Sequence, residues 1–243
     1  MIKYINSLQN KLVKEAYSLK SSKSIKEKNM FLIEGDHLLK MAKDYLLYIF
    51  VLKEDITFND VDQYVVNEEI MKKLSSGKSV ARYIGVCKTL SNNFSYDNTL
   101  VYLDNIQDPG NLGTILRTCL GLNIKNVLLS ENTVSIYNQK TIQASQGAIF
   151  YVNTKISSIN ELKKKKEEGY CIVSTTLEKD SIYLNDLKKE EKIIFVFGNE
   201  GNGISKDIIS LSNNKIIIPI QNIDSYNVSI ALAMILYTYL YTK

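Results

Sequence analysis

The sequence predicts an α/β protein, and three observations carry that reading. From about residue 100 onward, short apolar runs such as Leu100 to Leu103 and Ile193 to Phe197 alternate with stretches of helical spacing. That order implies a parallel sheet with helices on both faces. Val228 to Leu236 is apolar almost all round, so it reads as a helix without a polar face, a core element. The loops after the apolar runs are rich in Gly, Asn, Asp and Ser, and ligands in such sheets sit beyond the carboxyl ends of the strands.

Taken in order, residues 1 to about 20 place Ile2, Ile5, Leu8, Leu12 and Leu19 among lysines at roughly helical spacing. Ser21 to Lys28 reads as a lysine-rich connector, and Met30 to Ile33 as a short strand. Glu34-Gly-Asp36 turns the chain, with Asp36 as the cap of a helix through Lys43. Tyr45 to Leu52 and Val80 to Cys87 are strand-like. Asn67 to Leu74 is a short helix with acid at its start and base at its end. Lys88 to Asn98 is polar with little to bury, which sets a domain boundary there: residues 1–95 form a small α/β unit and residues 99–243 a larger one.

In the second unit, Leu100 to Leu103, Asn126 to Leu129, Tyr170 to Ser174, Ile193 to Phe197 and Ile216 to Ile218 read as strands. Gly110 to Leu120, Gln139 to Ser145, Ile159 to Glu168 and Ser205 to Leu211 read as helices. Lys163 to Lys166 is expected to be a solvated helix face rather than an RNA contact. Pro219 stops the last strand, because proline has no N–H for a ladder. Either Ser225 or Asn227 can cap the final helix.

Composition bounds the function. The 243 residues are 45% hydrophobic and 23% charged, which fits an ordinary globular protein, and a net charge of +4 permits an anionic partner without requiring one. Cys87, Cys119 and Cys171 form no CxxC pair, which argues against a disulfide framework or a zinc site. With one histidine, His37, any scheme needing two is excluded. The start, Met1-Ile-Lys-Tyr-Ile-Asn, lacks the apolar core of a signal peptide, and no apolar run is long and uncharged enough to span a bilayer. A cytoplasmic protein without membrane association is expected.

Three loops follow strands and can share one edge of the sheet. The first is Asp104-Asn-Ile-Gln-Asp-Pro-Gly-Asn-Leu-Gly-Thr-Ile-Leu-Arg117, where Asn111 can cap the helix and Arg117 lies two turns into it. The second is Phe197-Gly-Asn-Glu-Gly-Asn-Gly-Ile-Ser205, whose glycines let backbone approach a ligand and which carries Glu200. The third runs from Pro219 to Asn227. The glycine spacing matches neither a dinucleotide fingerprint nor a P-loop. Physics alone leads to an α/β protein with a polar cofactor site.

Together these loops resemble the three motifs of the SpoU/TrmH family, RNA ribose 2′-O-methyltransferases of the SPOUT superfamily. Asp104 to Thr118 is similar to the first motif, Phe197 to Ser205 to the second, and Ile218-Pro-Ile with Ser225-Tyr-Asn-Val-Ser229 to the third. Ser145-Gln-Gly-Ala148 resembles a segment between the first two. Phe31-Leu-Ile-Glu-Gly-Asp-His-Leu-Leu39 is similar to the L30e-like RNA substrate-binding domain that many members carry, where His37 reads as a helix-entry residue. Two departures stand out: Gln221-Asn222 where a glycine is usual, and Tyr226 where a leucine is usual.

The resemblance implies a SPOUT-type parallel sheet whose C-terminal segment threads a trefoil knot, and a homodimer with a shared site. It implies methyl transfer from S-adenosyl-L-methionine to a ribose 2′-hydroxyl of RNA, ribosomal RNA rather than tRNA, with no metal. Arg117 would grip the neighbouring phosphate and stabilise the developing alkoxide, or act deprotonated as the base. Asn111 and Glu200 would position arginine and ribose, and Ser225 and Asn227 would order the loops. Thr175, Thr176, Gly198, Ile218, Ile220, Tyr226 and Asn227 would hold the cofactor. A ribosome-assembly protein with a vestigial site and a dinucleotide-binding oxidoreductase are the competing readings.

Overall fold

Two sheets organise the chain. The computed structural model describes residues 1–54, 58, 60–77, 79–91, 93–178 and 180–242; Asn92 of the expected domain boundary and Lys243 at the end of the expected second unit lie outside the described residues. The first sheet contains β1 (Ile2–Ile5), β2 (Met30–Glu34), β3 (Leu46–Val51), β4 (Asp62–Val66) and β5 (Tyr83–Lys88) in the order β1-β4-β3-β5-β2. β1, β4 and β3 run parallel, and β5 is antiparallel to β3 and β2.

Several N-terminal expectations change. Residues 1 to 20 are not one helical stretch: β1 pairs with β4 before α1 (Lys11–Ser18) begins. The ladder that β4 offers outweighs the loose helical spacing of Ile2 and Ile5. Ser21 to Lys28 is not a connector but holds α2 (Ser22–Lys28), which buries the single apolar Ile25 and closes through left-handed Asn29. Helix α3 (Asp36–Met41) begins at Asp36, so Gly35 (φ +96°) is the cap residue. The Asp36 carboxylate instead pairs with Lys40 at 2.7 Å, one turn on. Helix α4 (Glu68–Leu74) starts as expected, with the Asn67 side chain accepting from Ile70 N.

The second sheet contains β6 (Thr99–Leu103), β7 (Asn126–Leu129), β8 (Asn153–Ile156), β9 (Cys171–Thr175), β10 (Ile182–Tyr183), β11 (Ile193–Phe197) and β12 (Asn214–Ile217). Their order is β10-β12-β9-β11-β6-β7-β8, and every pairing is parallel. Alternation sorts the side chains into two layers. Leu100, Tyr102, Leu128, Ile172, Ile194 and Val196 pack on one face with Leu162 of α7 (Ile159–Glu167) and Ile208 of α8 (Lys206–Leu211). Val101, Leu103, Val127, Val173, Phe195 and Phe197 pack on the other with α5 (Pro109–Gly121), α6 (Gln139–Ser145) and α9 (Val228–Tyr241). The sheet is thus covered on both faces, as a parallel sheet requires.

Two helices depart from expectation. In α7, Lys163 and Lys164 are exposed, but Lys165 is buried with its ammonium 3.6 Å from the Tyr96 ring centre, and Lys166 donates to Leu211 O. The lysine run is therefore only half a solvated face. Helix α9 is only partly core: Leu232, Ile235, Leu236 and Tyr239 are buried, whereas Ile230, Tyr237 and Tyr241 are 51%, 57% and 60% exposed. Those three share one stripe of the helix and are uncovered in a single chain. Among the described residues no helix is long and apolar enough to cross a membrane.

Candidate active site

Because all strands of the second sheet point the same way, the loops after β6, β9, β11 and β12 share its carboxyl edge. Hydrogen bonds tie them together there. The buried Asp104 carboxylate accepts from Ser205 N at 2.8 Å and from Asn105 Nδ2 at 3.1 Å, joining the first loop to the second. The glycine loop is folded by Asn199, whose Nδ2 donates to Asn105 O and whose Oδ1 accepts from Gly201 N and Asn202 N. Gly198 has no room for a side chain: a Cβ there would meet Gly203 C at 2.3 Å and Ile204 N at 2.4 Å. Gly203 takes φ +68°, a left-handed step that favours glycine.

Helix α5 is capped by Asp108, not Asn111: the Asp108 carboxylate accepts from Asn111 N at 2.8 Å, and Pro109 opens the helix. Proline suits that position because the first helical N–H has no partner in the helix anyway. Freed from capping, Asn111 turns its side chain to the other loops. Its Nδ2 donates to Glu200 Oε1 at 2.9 Å, and its Oδ1 accepts from Asn227 Nδ2 at 2.9 Å. Asn227, rather than Ser225, caps α9, its Oδ1 accepting from Ser229 N and Ser229 Oγ. Glu200 also accepts from the backbone N–H of Gln107 and Asp108.

These donors decide the charge of Glu200. Partial burial pushes its carboxyl up, but the Asn111 and backbone N–H bonds outweigh that and hold it below the usual carboxylate range. Asp108 is held low first by its ion pair with Lys140 and then by the Asn111 N–H. Both stay ionised at neutral pH, so the three motifs meet around fixed negative charge and amide dipoles.

Beside this junction lies a cavity of about 470 Å³, within the 300–1,000 Å³ typical of small-molecule sites. Thr175, Thr176, Gly198, Glu200, Ile218, Ile220, Ser225, Tyr226 and Asn227 all line it, so most of the residues singled out by sequence converge. Thr175 Oγ1 donates to Val196 O and Thr176 N to Ile216 O, which anchors the strand end. Tyr226 leans over Pro219, with its OH 3.4 Å from the carbonyl oxygen. The unusual Gln221-Asn222 is accommodated by Asn222 at φ +63°, a conformation asparagine tolerates better than other side chains with a Cβ. The lining offers backbone groups of the glycine loop on one side and Leu177, Ile216, Val228 and Ile235 on the other. A polar rim and an apolar floor together fit an amphipathic nucleoside such as S-adenosylmethionine.

Arg117 is not brought to the cavity. It is exposed on α5, with no hydrogen bond or ion pair among the described residues. Of the 30 basic residues in the chain only Arg82 and Arg117 are arginines. His37 lies away from the cavity in α3, its Nε2 3.2 Å from Gln146 O, as befits a helix-entry residue. Sequence reasoning missed Asp108, Asn199 and the apolar floor. An aspartate directly before a proline is a helix-start signal that would have found the first; nothing local marks the floor.

Comparison with known proteins agrees with this geometry. Residues 98–237 match the SpoU rRNA Methylase family model. The 23S rRNA (guanosine(2553)-2′-O)-methyltransferase RlmP of Bacillus subtilis strain 168 is 27% identical over 97% of this chain and 98% of its own length. A solved RNA 2′-O ribose methyltransferase superposes with TM-score 0.82 at 25% identity, covering 98% of both chains. An AdoMet-bound rRNA methyltransferase from Sinorhizobium meliloti shares the fold with TM-score 0.85 at 23% identity, over 98% of this chain and 97% of that one. A family match spanning more than half of the sequence, carried by loops that the fold brings to one edge, leads to one conclusion: the chain belongs to the SpoU rRNA methylase family.

Proposed function

We propose that this protein is a homodimer that methylates a ribose 2′-hydroxyl of ribosomal RNA with S-adenosyl-L-methionine as donor. The observation that carries the reading is the junction of Asn111, Glu200 and Asn227 at the rim of the cavity, in a chain of the SpoU family. The relative from B. subtilis is named for methylation of 23S rRNA, which favours ribosomal RNA over tRNA, and ribosomes call for a cytoplasmic site of action.

When bound, the cofactor supplies an electrophilic methyl group already activated on sulfur. The chain's own work concerns the nucleophile, because a ribose hydroxyl must lose its proton as it attacks. Arginine is effectively always protonated. Arg117 therefore grips the adjacent phosphate and stabilises the alkoxide developing at the 2′ oxygen, while the proton leaves to that phosphate. Glu200 and Asn111 fix the start of α5, which carries Arg117. Thr175, Thr176 and the glycine loop bind and orient the cofactor, with Ile218, Ile220 and Tyr226 excluding water.

Two exposures support dimerisation. Ile230, Tyr237 and Tyr241 form an uncovered apolar stripe on α9, and Arg117 stands apart from the cavity of its own chain. Pairing through α9 buries the stripe and brings one chain's Arg117 to its partner's cavity. The threaded path implied by the family belongs to the same proposal, supported by the contact of Asn227 with Asn111 after the chain has passed the glycine loop.

The test maps 2′-O-methyl groups in total RNA from a strain lacking the chain, complemented with wild type or Arg117→Ala. One rRNA nucleotide should lose its methyl and regain it only with wild type. Loss in tRNA instead would redirect the substrate, and no lost methyl would overturn the reading. Arg117→Ala chains refolded together with chains disabled in cofactor binding should recover activity if the site is shared.

A further inference from the structure

The first sheet ends in β2, which pairs only with β5 and so has one open edge. An open edge presents unpaired carbonyls, and here they are covered by side chains. Gln139 Nε2 donates to Leu32 O at 3.0 Å, and Gln143 Nε2 donates to Glu34 O at 3.2 Å. The pitches agree. Carbonyls two residues apart on a strand repeat at about 6.7 Å, and side chains four apart on a helix at about 6 Å. Helix α6 therefore lies along β2 like a missing neighbour.

Further contacts hold this seam. Tyr45 stacks on Phe150 with ring centres 5.6 Å apart, Phe31 meets Tyr137 at 4.8 Å, and Leu90 N donates to Tyr137 OH at 3.0 Å. At Gly147 (φ +89°) the backbone is left-handed, and the Met41 side chain packs where a Cβ would be, its Sδ 2.3 Å from that point. The opposite face of α6 is just as close to α5. A Cβ on Gly113 would meet Thr141 O at 2.5 Å and Ala144 Cβ at 2.6 Å, and Lys140 Nζ reaches Asp108 at 2.9 Å. One helix is thus all that separates the first sheet from the helix bearing Arg117.

We propose that α6 is a rigid spacer that sets the distance between the N-terminal unit, taken to hold the RNA as its resemblance to the L30e-like domain implies, and Arg117, with Gln139 and Gln143 as positioning residues. This rests on the function proposed above. RNA held by the N-terminal unit then presents one ribose to the catalytic arginine, and the choice of nucleotide is a length measured along the fold. Ordinary domain packing would add stability alone; a spacer also fixes which nucleotide reacts.

The test uses the full chain with Gln139→Met and Gln143→Met together, which keeps side-chain length and removes the donors. Cofactor affinity and KM for an rRNA transcript should stay within about threefold, while kcat falls about tenfold or more, because misplacement of bound substrate acts on the chemical step. Methylation should also spread to neighbouring nucleotides. Gln139→Lys with Gln143→Lys restores an N–H donor at each site and should restore kcat and the single site. Where the double Met variant fails to fold, each single Met variant carries the same comparison. A readout independent of activity is proteinase K cleavage of the connector at 89–98, expected to be faster in the Met variants than in wild type. Unchanged kcat with a single methylated nucleotide, or unchanged connector cleavage, would overturn the spacer. An inactive wild type would sink the function instead, and the cleavage comparison would still judge the spacer.

Discussion

Asn111 and Arg117 sit on the same helix, nearly two turns apart, yet their chemical situations are opposite. Asn111 has its polar atoms engaged, with Glu200 on one side and Asn227 on the other. Arg117 has no polar partner among the described residues and stands in solvent. A group whose bonds are already made costs no ordering when a ligand arrives, so it holds geometry. A group with unmade bonds is available to charge that arrives from outside. One helix thus carries both the frame of the site and its reactive charge, and the two should fail differently when changed.

The sharpest break is at Arg117. Arg117→Ala should lower turnover by about 10²–10³-fold or more, the range seen when a transition-state donor is removed, with cofactor affinity unchanged by calorimetry. Arg117→Lys should remain well below wild type, because a point charge does not reproduce a planar fork on phosphate. Near-normal turnover of the Ala variant would erase the distinction between frame and charge.

Glu200→Gln should have a smaller and different effect. It removes the charge that accepts from Asn111, Gln107 N and Asp108 N. Losing hydrogen bonds to a charged group costs about 1.5–3 kcal/mol, about 10- to 100-fold when it falls on turnover through the loosened start of α5. Unchanged turnover would mean that Glu200 does not hold the helix that carries Arg117.

Asn227→Ala should cost about 0.5–2 kcal/mol of stability through the lost cap, lowering Tm by a few degrees in a chain of this size. Calorimetry of the variant checks it, and an unshifted Tm would mean that the Asn227 cap does not stabilise α9.

The smallest effect is on pH. Glu200 and Asp108 are held below their ordinary values in the folded state. The unfolded chain therefore binds more protons near their ordinary pKa values, about 4.3 and 3.9. Their stabilisation is complete above that range and is lost as pH falls through the depressed folded values. Tm measured from pH 6 to pH 3 should fall less steeply in Glu200→Gln than in wild type. Identical slopes would mean that the Glu200 charge is not part of the frame.

How much of this was legible in the sequence depended on burial. β6, β7 and β11 are nearly continuous apolar runs because both faces are covered, and each was read at its place. β8 (Asn-Thr-Lys-Ile) and the two-residue β10 lie at the two edges, where polar residues are tolerated, so no apolar run announced them. β1 was hidden for the same reason, as an edge strand defined by its partner β4. At the site, residue types and order led to Asn111, Glu200 and Asn227, but not to who bonds whom. Both Asp108 and Asn111 are good caps in isolation, and only the fold decides that aspartate takes the role. The separation of Arg117 from the cavity of its own chain is not legible in the residues themselves, since position along a helix says nothing about what the helix faces; only the shared site that the family resemblance implies anticipates it.

The two sides of the cavity are unequal for redesign. The wall at Gly198 is backbone against backbone, so no substitution there can carve or fill space without dismantling the loop. The wall at Tyr226 is a half-buried ring held by one long hydrogen bond to Pro219 O. Trimming that ring to alanine would open a notch in that wall for an enlarged donor analogue, while the glycine wall keeps its shape. A matched pair of enlarged donor and Tyr226→Ala chain would then label the RNA targets of this protein alone in a cell extract.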